Sequence, residues 1–451
     1  MSRRPGQQER VQEGERAEEP VDSRARFTGR GWAFLAAGAV CLLLATWLGR
    51  KDVLALALFL GGAPLFAALS LYVVKPRVLL KRGVDPALVT AGDPAVVGVR
   101  VRHRGRRGGT VQGAFAVHET VPEPLGGDRE LTVEAGGEPA VYTVRPRRRG
   151  VYALGPATVR VADPFGLAAE LIDASERTSL HVAPDAVQLP EISADRLREP
   201  GTDPSRTAQP QPGPDNITTR EYRHGDPMRR VHWAASAKHG RLIVRQEDPT
   251  STRRMSLLLD VDEDSWRGER LWAGVLPSTA EFEWAVTFTA AVLEHLTQRE
   301  TTVHALDVHG RPLPRAAEDD GPGQAPVHVG AVTDDSAEDA RHGLARVRCA
   351  PAPDGAGDAL ADRFDRDGLV HPVLLVSGDL GRAAAERVLH GTRRAAAGSA
   401  VLVASAPDRS PEGAATLQEA GWSVVAVHAR TDPEDAWARL GARTATTGTA
   451  R

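Results

Sequence analysis

Met255-Ser256-Leu257-Leu258-Leu259-Asp260-Val261 is the stretch that decides the fold of the larger part of this chain. Apolar residues fill nearly a whole strand length, so both faces of that strand must be covered. An acidic loop, Asp262-Glu263-Asp264-Ser265, follows at once. Downstream, the pattern predicts helices over 279–299, 382–397 and 412–420, and strands over 302–308, 370–376, 400–404 and 423–428. Strands rich in Val and Leu that alternate with helices predict a mainly parallel, doubly wound α/β sheet, here over 251–440. Gly/Pro/Asp-rich segments near 314–326 and 350–358 read as surface loops, and 441–451 as a disordered tail.

Upstream the period changes. From 83 to 190, short alternating runs such as Ala95–Val101, Gly113–His118, Val141–Arg145 and Ala157–Val161 are broken by Gly and Pro, which predicts a small β-sandwich. Residues 191–250 form a linker, Pro/Gln/Gly-rich over 204–214, and then a compact helical signal. There Asp226 is placed to cap, Pro227 suits the first helical position and Gly240 suits the residue past the end. A helix over Met228–His239 and a strand over Leu242–Gln246 are expected.

The N-terminal region reads as a membrane hairpin over 27–82. Residues 31–48 and 53–74 carry no charge and each approaches the roughly 20 residues that cross a bilayer. Trp32, Trp47 and Tyr72 lie near the run ends, where amphipathic rings favour the interface. Pro64 is tolerable within a membrane helix. A cleaved signal peptide fits less well, because the first run starts late and a second follows at once. Cations flank the outer ends (Arg24, Arg26, Arg30, then Lys75, Arg77, Lys81, Arg82), which places the soluble domains in the cytoplasm; Arg50 and Lys51 in the turn pull the other way. Residues 1–26 are polar and are expected to be disordered.

The net charge of −3 argues against a global field for nucleic acid. Cys41 and Cys349 are the only cysteines and belong to no C-x-x-C pair, which excludes a disulfide framework and a Cys-rich zinc site. There is no Gly-x-Ser-x-Gly elbow, no His-Glu-x-x-His and no phosphate-binding loop, so the expectation is a non-enzymatic protein. His224, His232 and His239 lack partners at ligand spacing and read as polar surface residues.

Two motifs carry a family resemblance. Residues 220–247 read REYRHGDPMRRVHWAASAKHGRLIVRQE; Arg148-Arg149-Gly150-Val151-Tyr152-Ala153-Leu154-Gly155-Pro156 is followed by Asp163-Pro164-Phe165-Gly166-Leu167. Together with the order of segments, from about 31 to 440, they resemble the family called domain of unknown function fifty-eight. The resemblance implies a multi-domain protein: a two-helix transmembrane hairpin, a small β-sandwich, then a von Willebrand factor A-like doubly wound sheet. It also implies an adaptor or assembly role beside a MoxR-type AAA+ ATPase.

Within the signature, Arg220, Tyr222, Gly225, Asp226, Arg229, Trp233, Lys238 and Arg245 are the candidate interaction residues. Arg229, Trp233 and Ser236 share one helical face, and Arg and Trp favour interface centres. The alternative is internal: Trp233 buried and the ions paired, joining the β-domain to the α/β domain. A phosphate site is disfavoured because no Gly-rich cradle accompanies the arginines. A-type domains of the implied kind often hold Mg²⁺ through Asp-x-Ser-x-Ser after the first strand. Here Asp260, Asp262 and Asp264 stand there, and Ser377-Gly378-Asp379 displaces the later carboxylate. Either a divalent cation relieves the crowded charge or the loop is a degenerate, solvated one. The sequence therefore predicts a membrane-tethered interaction protein, with a metal-dependent ligand-binding or adhesion module of the cell envelope as the alternative.

Overall fold

The computed structural model describes residues 24–74, 77–86, 88–104, 114–134, 136–185, 187–191, 217–221, 236–237, 240–247, 253–314, 331–353, 356–405 and 411–447. Two compact units divide the chain. One takes Met1–Pro86, Ala95–Val144 and Ala153–Ser179; the other takes Ala87–Pro94, Arg145–Tyr152 and Leu180–Arg451.

The first unit begins with strand β1 (Arg24–Phe27), helix α1 (Gly29–Leu48) and helix α2 (Lys51–Val74). Both helices are long and apolar enough to cross a membrane. Thr28 caps α1 by accepting a hydrogen bond from the Gly31 amide (3.1 Å), and Gly49 ends it in the left-handed region. The helices approach closely at small residues. A Cβ on Gly38 would lie 2.9 Å from the Gly61 nitrogen, so glycine is needed there. Ala45, Ala57 and Ala67 are buried beside this seam, whereas Leu43, Trp47, Leu58 and Phe66 face outward.

The other strands of this unit are β2 (Arg77–Asp85), β4 (Ala95–Arg104), β5 (Ala114–Glu119), β6 (Arg129–Glu134), β7 (Ala140–Val144), β9 (Ala157–Ala162) and β10 (Ala168–Ala174). They make two antiparallel sheets, ordered β1-β10-β9-β5-β6 and β2-β4-β7. Alternate residues Val97, Val99 and Val101 are buried, as are Phe115 and Val117, in the period of half-buried strands. Arg82 forms a fully buried pair with Glu119 (2.7 Å) and donates to the Glu176 carbonyl. Residues 24–26, expected to belong to a disordered tail, instead pair with β10 from Arg24↔Leu171 onward. The reason is local: the Thr28 amide and hydroxyl bond to the Leu167 and Gly166 carbonyls, which fixes the chain just before α1.

In the second unit, β3 (Val89–Thr90) pairs in parallel with β11 (Thr178–Ala183), and β8 (Gly150–Leu154) completes that sheet. Strands β12 (Ile217–Glu221) and β13 (Ile243–Glu247) form an antiparallel pair. The parallel sheet then follows: β14 (Arg253–Leu259), a hairpin of β15 (Arg270–Ala273) and β16 (Leu276–Thr279), α3 (Ala280–Thr297), β17 (Thr301–Asp307), α4 (Asp334–Gly343), α5 (Ala356–Asp367) and β18 (Val373–Ser377). Helix α6 (Arg382–Gly391), β19 (Gly398–Ala404), α7 (Glu412–Glu419), β20 (Ser423–His428) and α8 (Pro433–Thr447) complete it.

The five long strands are all parallel, ordered β17-β14-β18-β19-β20. Successive side chains serve opposite faces. Leu257 and Leu259 join Phe282, Phe288, Val376 and Val403 in one core, while Leu258 joins Leu306, Phe364, Leu375 and Leu402 in the other. This is the two-sided burial expected from the leucine run. Helix α8 continues to Thr447, beyond the point where a tail was expected, with Ala436, Trp437 and Leu440 fully buried along one side. Helix α5 likewise begins at Ala356, inside a segment expected to be loop.

The segment 145–152 is fastened to the α/β elements by Arg149. Its guanidinium makes a bidentate bond to Glu283 (2.9 and 2.7 Å), and Nη1 donates to the Leu344 and Val347 carbonyls (2.8 Å each). Ser278 also donates to Glu283 (2.5 Å). Gly150 has φ +141°, and a Cβ there would lie 2.3 Å from the Ala273 carbonyl oxygen. The Arg-Arg-Gly-Val-Tyr motif is thus a clamp residue followed by the glycine that allows close backbone approach.

Candidate functional site

In the parallel sheet the strand order reverses between β14, the first strand, and β18, the third. Ligands of open α/β sheets bind outside the carboxyl ends of the strands at such a switch point. Asp260 directly follows β14 and Ser377 ends β18, so the chain places a carboxylate and a hydroxyl at that position.

Asp260 is buried. Its Oδ2 accepts from Ser377 Oγ (2.6 Å), its Oδ1 from the Asp262 amide (2.9 Å), and Ser265 bonds to it as well. Burial pushes its carboxyl above the ordinary range; the hydrogen bonds pull it back only in part, and the charge of Asp262 raises it further. Trp266 Nε1 donates to the Asp260 carbonyl (3.2 Å) and packs edge-on against Phe282.

Asp262 is held from two sides. His309 Nε2 lies 2.6 Å from Oδ1, and Arg387 of α6 lies 3.8 Å from Oδ2. Burial alone would lower the His309 imidazole. The hydrogen bond and charge of Asp262, with the charges of Asp307 and Asp260, outweigh it and raise the ring above its ordinary value. His309 sits in a turn after β17 that Asp307 organises by accepting from the His309 amide (2.9 Å) and the Arg311 amide (2.8 Å). Burial raises the Asp307 carboxyl too. Among the described residues, His309 Nδ1 has no hydrogen-bond partner.

The loops are locked together. A Cβ on Gly378 would lie 2.1 Å from the Ser265 carbonyl oxygen, and that carbonyl accepts from the Asp379 amide (2.8 Å). Asp379 in turn accepts from the Ser405 hydroxyl, beyond the end of β19. The candidate strand-end site is therefore Asp260, Asp262, Ser265, His309, Ser377 and Arg387, drawn from the loops after β14 and β17, the end of β18 and helix α6.

Of the sequence candidates, Asp260 and Asp262 meet here, while Asp264 is exposed. Among the described residues no group of three or more His, Cys, Asp and Glu is arranged to hold a metal ion. The oxygen set of Asp260, Ser265 and Ser377 suits a hard cation in kind, but the His309 imidazole occupies one side of Asp262. Arg220 and Arg245 lie on β12 and β13, one register step apart (Arg220↔Val244, Thr219↔Arg245). Tyr222, Gly225, Asp226, Arg229, Trp233 and Lys238, together with most of the expected 228–239 helix, lie outside the described residues. His309 and Arg387 escaped sequence reasoning because they carry no motif; only the strand order brings them to Asp262. Cys349 does not join as a nucleophile, since burial pushes its thiol up to about 12.

No protein-family model and no curated protein matches the chain. A solved structure of the alkylpurine DNA glycosylase AlkC of Pseudomonas fluorescens, bound to DNA containing an abasic site analog, is similar over 32% of this chain and 42% of that one. At 12% identity and a TM-score of 0.16, that likeness carries no argument about fold or function.

Proposed function

We propose that this chain is a membrane-anchored, non-enzymatic adaptor whose α/β unit binds a protein partner at the carboxyl ends of its parallel strands. The observation that carries the reading is the state of the switch-point carboxylates. Asp260 is engaged by Ser377, Ser265 and a backbone amide, and Asp262 by His309 and Arg387. Hydroxyls and an amide fix Asp260, and His309 and Arg387 fix Asp262, so the crowded carboxylates sit on a loop surface held in one shape, which suits recognition of a partner. The two apolar helices support attachment to the cell membrane, and the flanking cations support cytoplasmic soluble domains. The von Willebrand factor A-like description of the sheet and a MoxR-type AAA+ ATPase as partner both come from the sequence resemblance.

Crosslinking the tagged full-length protein in its native membrane, then detergent extraction and capture with and without ATP, tests this reading. Nucleotide-dependent enrichment of an AAA+ ATPase is expected. Recovery of envelope proteins alone would instead favour the second reading, a metal-dependent ligand-binding module. That reading draws on the oxygen donors around Asp260; Mg²⁺ would be held there by Asp260, Ser265 and Ser377, and would offer a ligand carboxylate an open coordination position. Calorimetry with Mg²⁺ on the purified protein separates the two: no binding heat is expected for the adaptor.

A further inference from the structure

The Asp163-Pro164-Phe165-Gly166-Leu167 turn belongs to a sequence hallmark that the strand-end site does not use. Its shape is fixed from within. The Asp163 carboxylate accepts from the Phe165 amide (2.8 Å) and the Ala168 amide (2.6 Å), and Gly166 has φ +69°. The turn is also joined directly to the first apolar helix. Thr28 donates its hydroxyl to the Gly166 carbonyl (2.6 Å) and its amide to the Leu167 carbonyl (3.0 Å). A Cβ on Gly31 would strike the Leu167 oxygen at 2.1 Å, so the first turn of α1 rests on this loop.

That contact sets the height of the turn relative to a bilayer. Helix α1 has 20 residues, a rise of about 30 Å, which is one hydrocarbon thickness. Its N-terminal end must then lie at the hydrocarbon boundary. The headgroup layer adds about 5–8 Å on each side, and a loop bonded to residue 28 falls within it. At this level Phe165 is 77% exposed and Trp32 63% exposed. Arg26 is exposed on β1, and the Arg30 guanidinium passes beside Gly166. Aromatic rings beside arginines at one height are the composition of a membrane interface. A rigid turn that keeps a large ring facing outward has an occupant if lipid lies there.

We infer that this turn is a second membrane contact, with the Phe165 ring in the headgroup layer and Arg26 and Arg30 facing phospholipid phosphates. The inference rests on the membrane reading above, and adds that the β-rich unit lies against the bilayer rather than standing off it.

The test uses the full-length protein with both cysteines replaced by alanine, reconstituted in phosphatidylethanolamine–phosphatidylglycerol nanodiscs. The variants Phe165→Cys, Leu43→Cys and Val141→Cys, made one at a time, would carry an environment-sensitive fluorophore. Val141 pairs through Gly98 to Gly83, six residues along β2 from Arg77 and so about 20 Å along the strand. The Phe165 label should be blue-shifted and quenched several-fold more by lipids bearing a nitroxide high on the acyl chain than by aqueous iodide. The Val141 label should show the reverse. If the Leu43 label is quenched by lipid and the Phe165 label only by iodide, the inference fails while the membrane reading stands. A Leu43 label untouched by lipid nitroxides would sink the membrane reading itself. A blue-shifted Phe165 label that no lipid nitroxide quenches would put the label against protein instead of lipid and overturn the proposal.

Discussion

Two buried charged groups in the second unit are built on different terms. At the clamp, the Arg149 guanidinium meets the Glu283 carboxylate and two carbonyls, which take four of its five N–H donors. At the switch point, Asp260 and Asp262 lie close together, a histidine is drawn into a raised protonation range, and one of its ring nitrogens is left without a partner among the described residues. Paired, well-bonded charge is costly to break, whereas crowded like charge holds free energy that a binding event can release. Charge held by cations and carbonyls fastens the fold, and crowded charge marks the candidate site.

The largest expected effect lies at the clamp. Arg149→Ala leaves the partly buried Glu283 without its cation and the Leu344 and Val347 carbonyls without their donor, and should cost about 3–5 kcal/mol in denaturant unfolding of the detergent-solubilised protein. A loss below about 1 kcal/mol would break the comparison, because the clamp would then be no more structural than a surface pair. Next comes Gly378→Ala, whose methyl would collide with the Ser265 carbonyl; a destabilisation of about 1–3 kcal/mol is expected.

His309 sharpens the comparison through pH. Its folded value is raised above the ordinary 6.5, so its stabilising contribution is fully present below 6.5 and is lost as pH rises through the folded value. Thermal unfolding of the wild type should show that decline, and His309→Gln should flatten it. An unchanged slope would mean that the imidazole is not coupled to Asp262. The smallest effect is expected from Asp260→Asn. Burial already opposes its charge, so the variant should unfold within about 1 kcal/mol of the wild type, or later. A loss of several kcal/mol would make the cluster a structural network like the clamp.

Much of this architecture was legible in the chain. The leucine run 257–259 gave away a strand covered on both sides, and the two uncharged runs gave the apolar helices within a residue or two. Helix α4 had no bounds that could be read, because its segment is strongly charged and its buried residues, Ala340, His342 and Gly343, gather at the C-terminal end without an apolar stripe. Strand β1 was hidden for a different reason: its four residues gain a partner only from β10, far along the sequence. At the site, Asp260 and Asp262 could be picked from their place after the first strand. His309 and Arg387 could not, since crossing connections and strand order, and no local spacing, carry them to Asp262. The two parts of the second hallmark were visible as strings, but their work was not: 148–156 holds a clamp with its glycine, and 163–167 is a turn bonded to α1.

The central claim, that the switch-point face binds the partner and does not hold the fold, is tested most directly by ATP-dependent crosslinked capture from native membranes with Asp262→Asn and Arg387→Ala. The account predicts that both variants fold and reach the membrane at wild-type levels but lose the nucleotide-dependent partner. Full capture by both variants would contradict it.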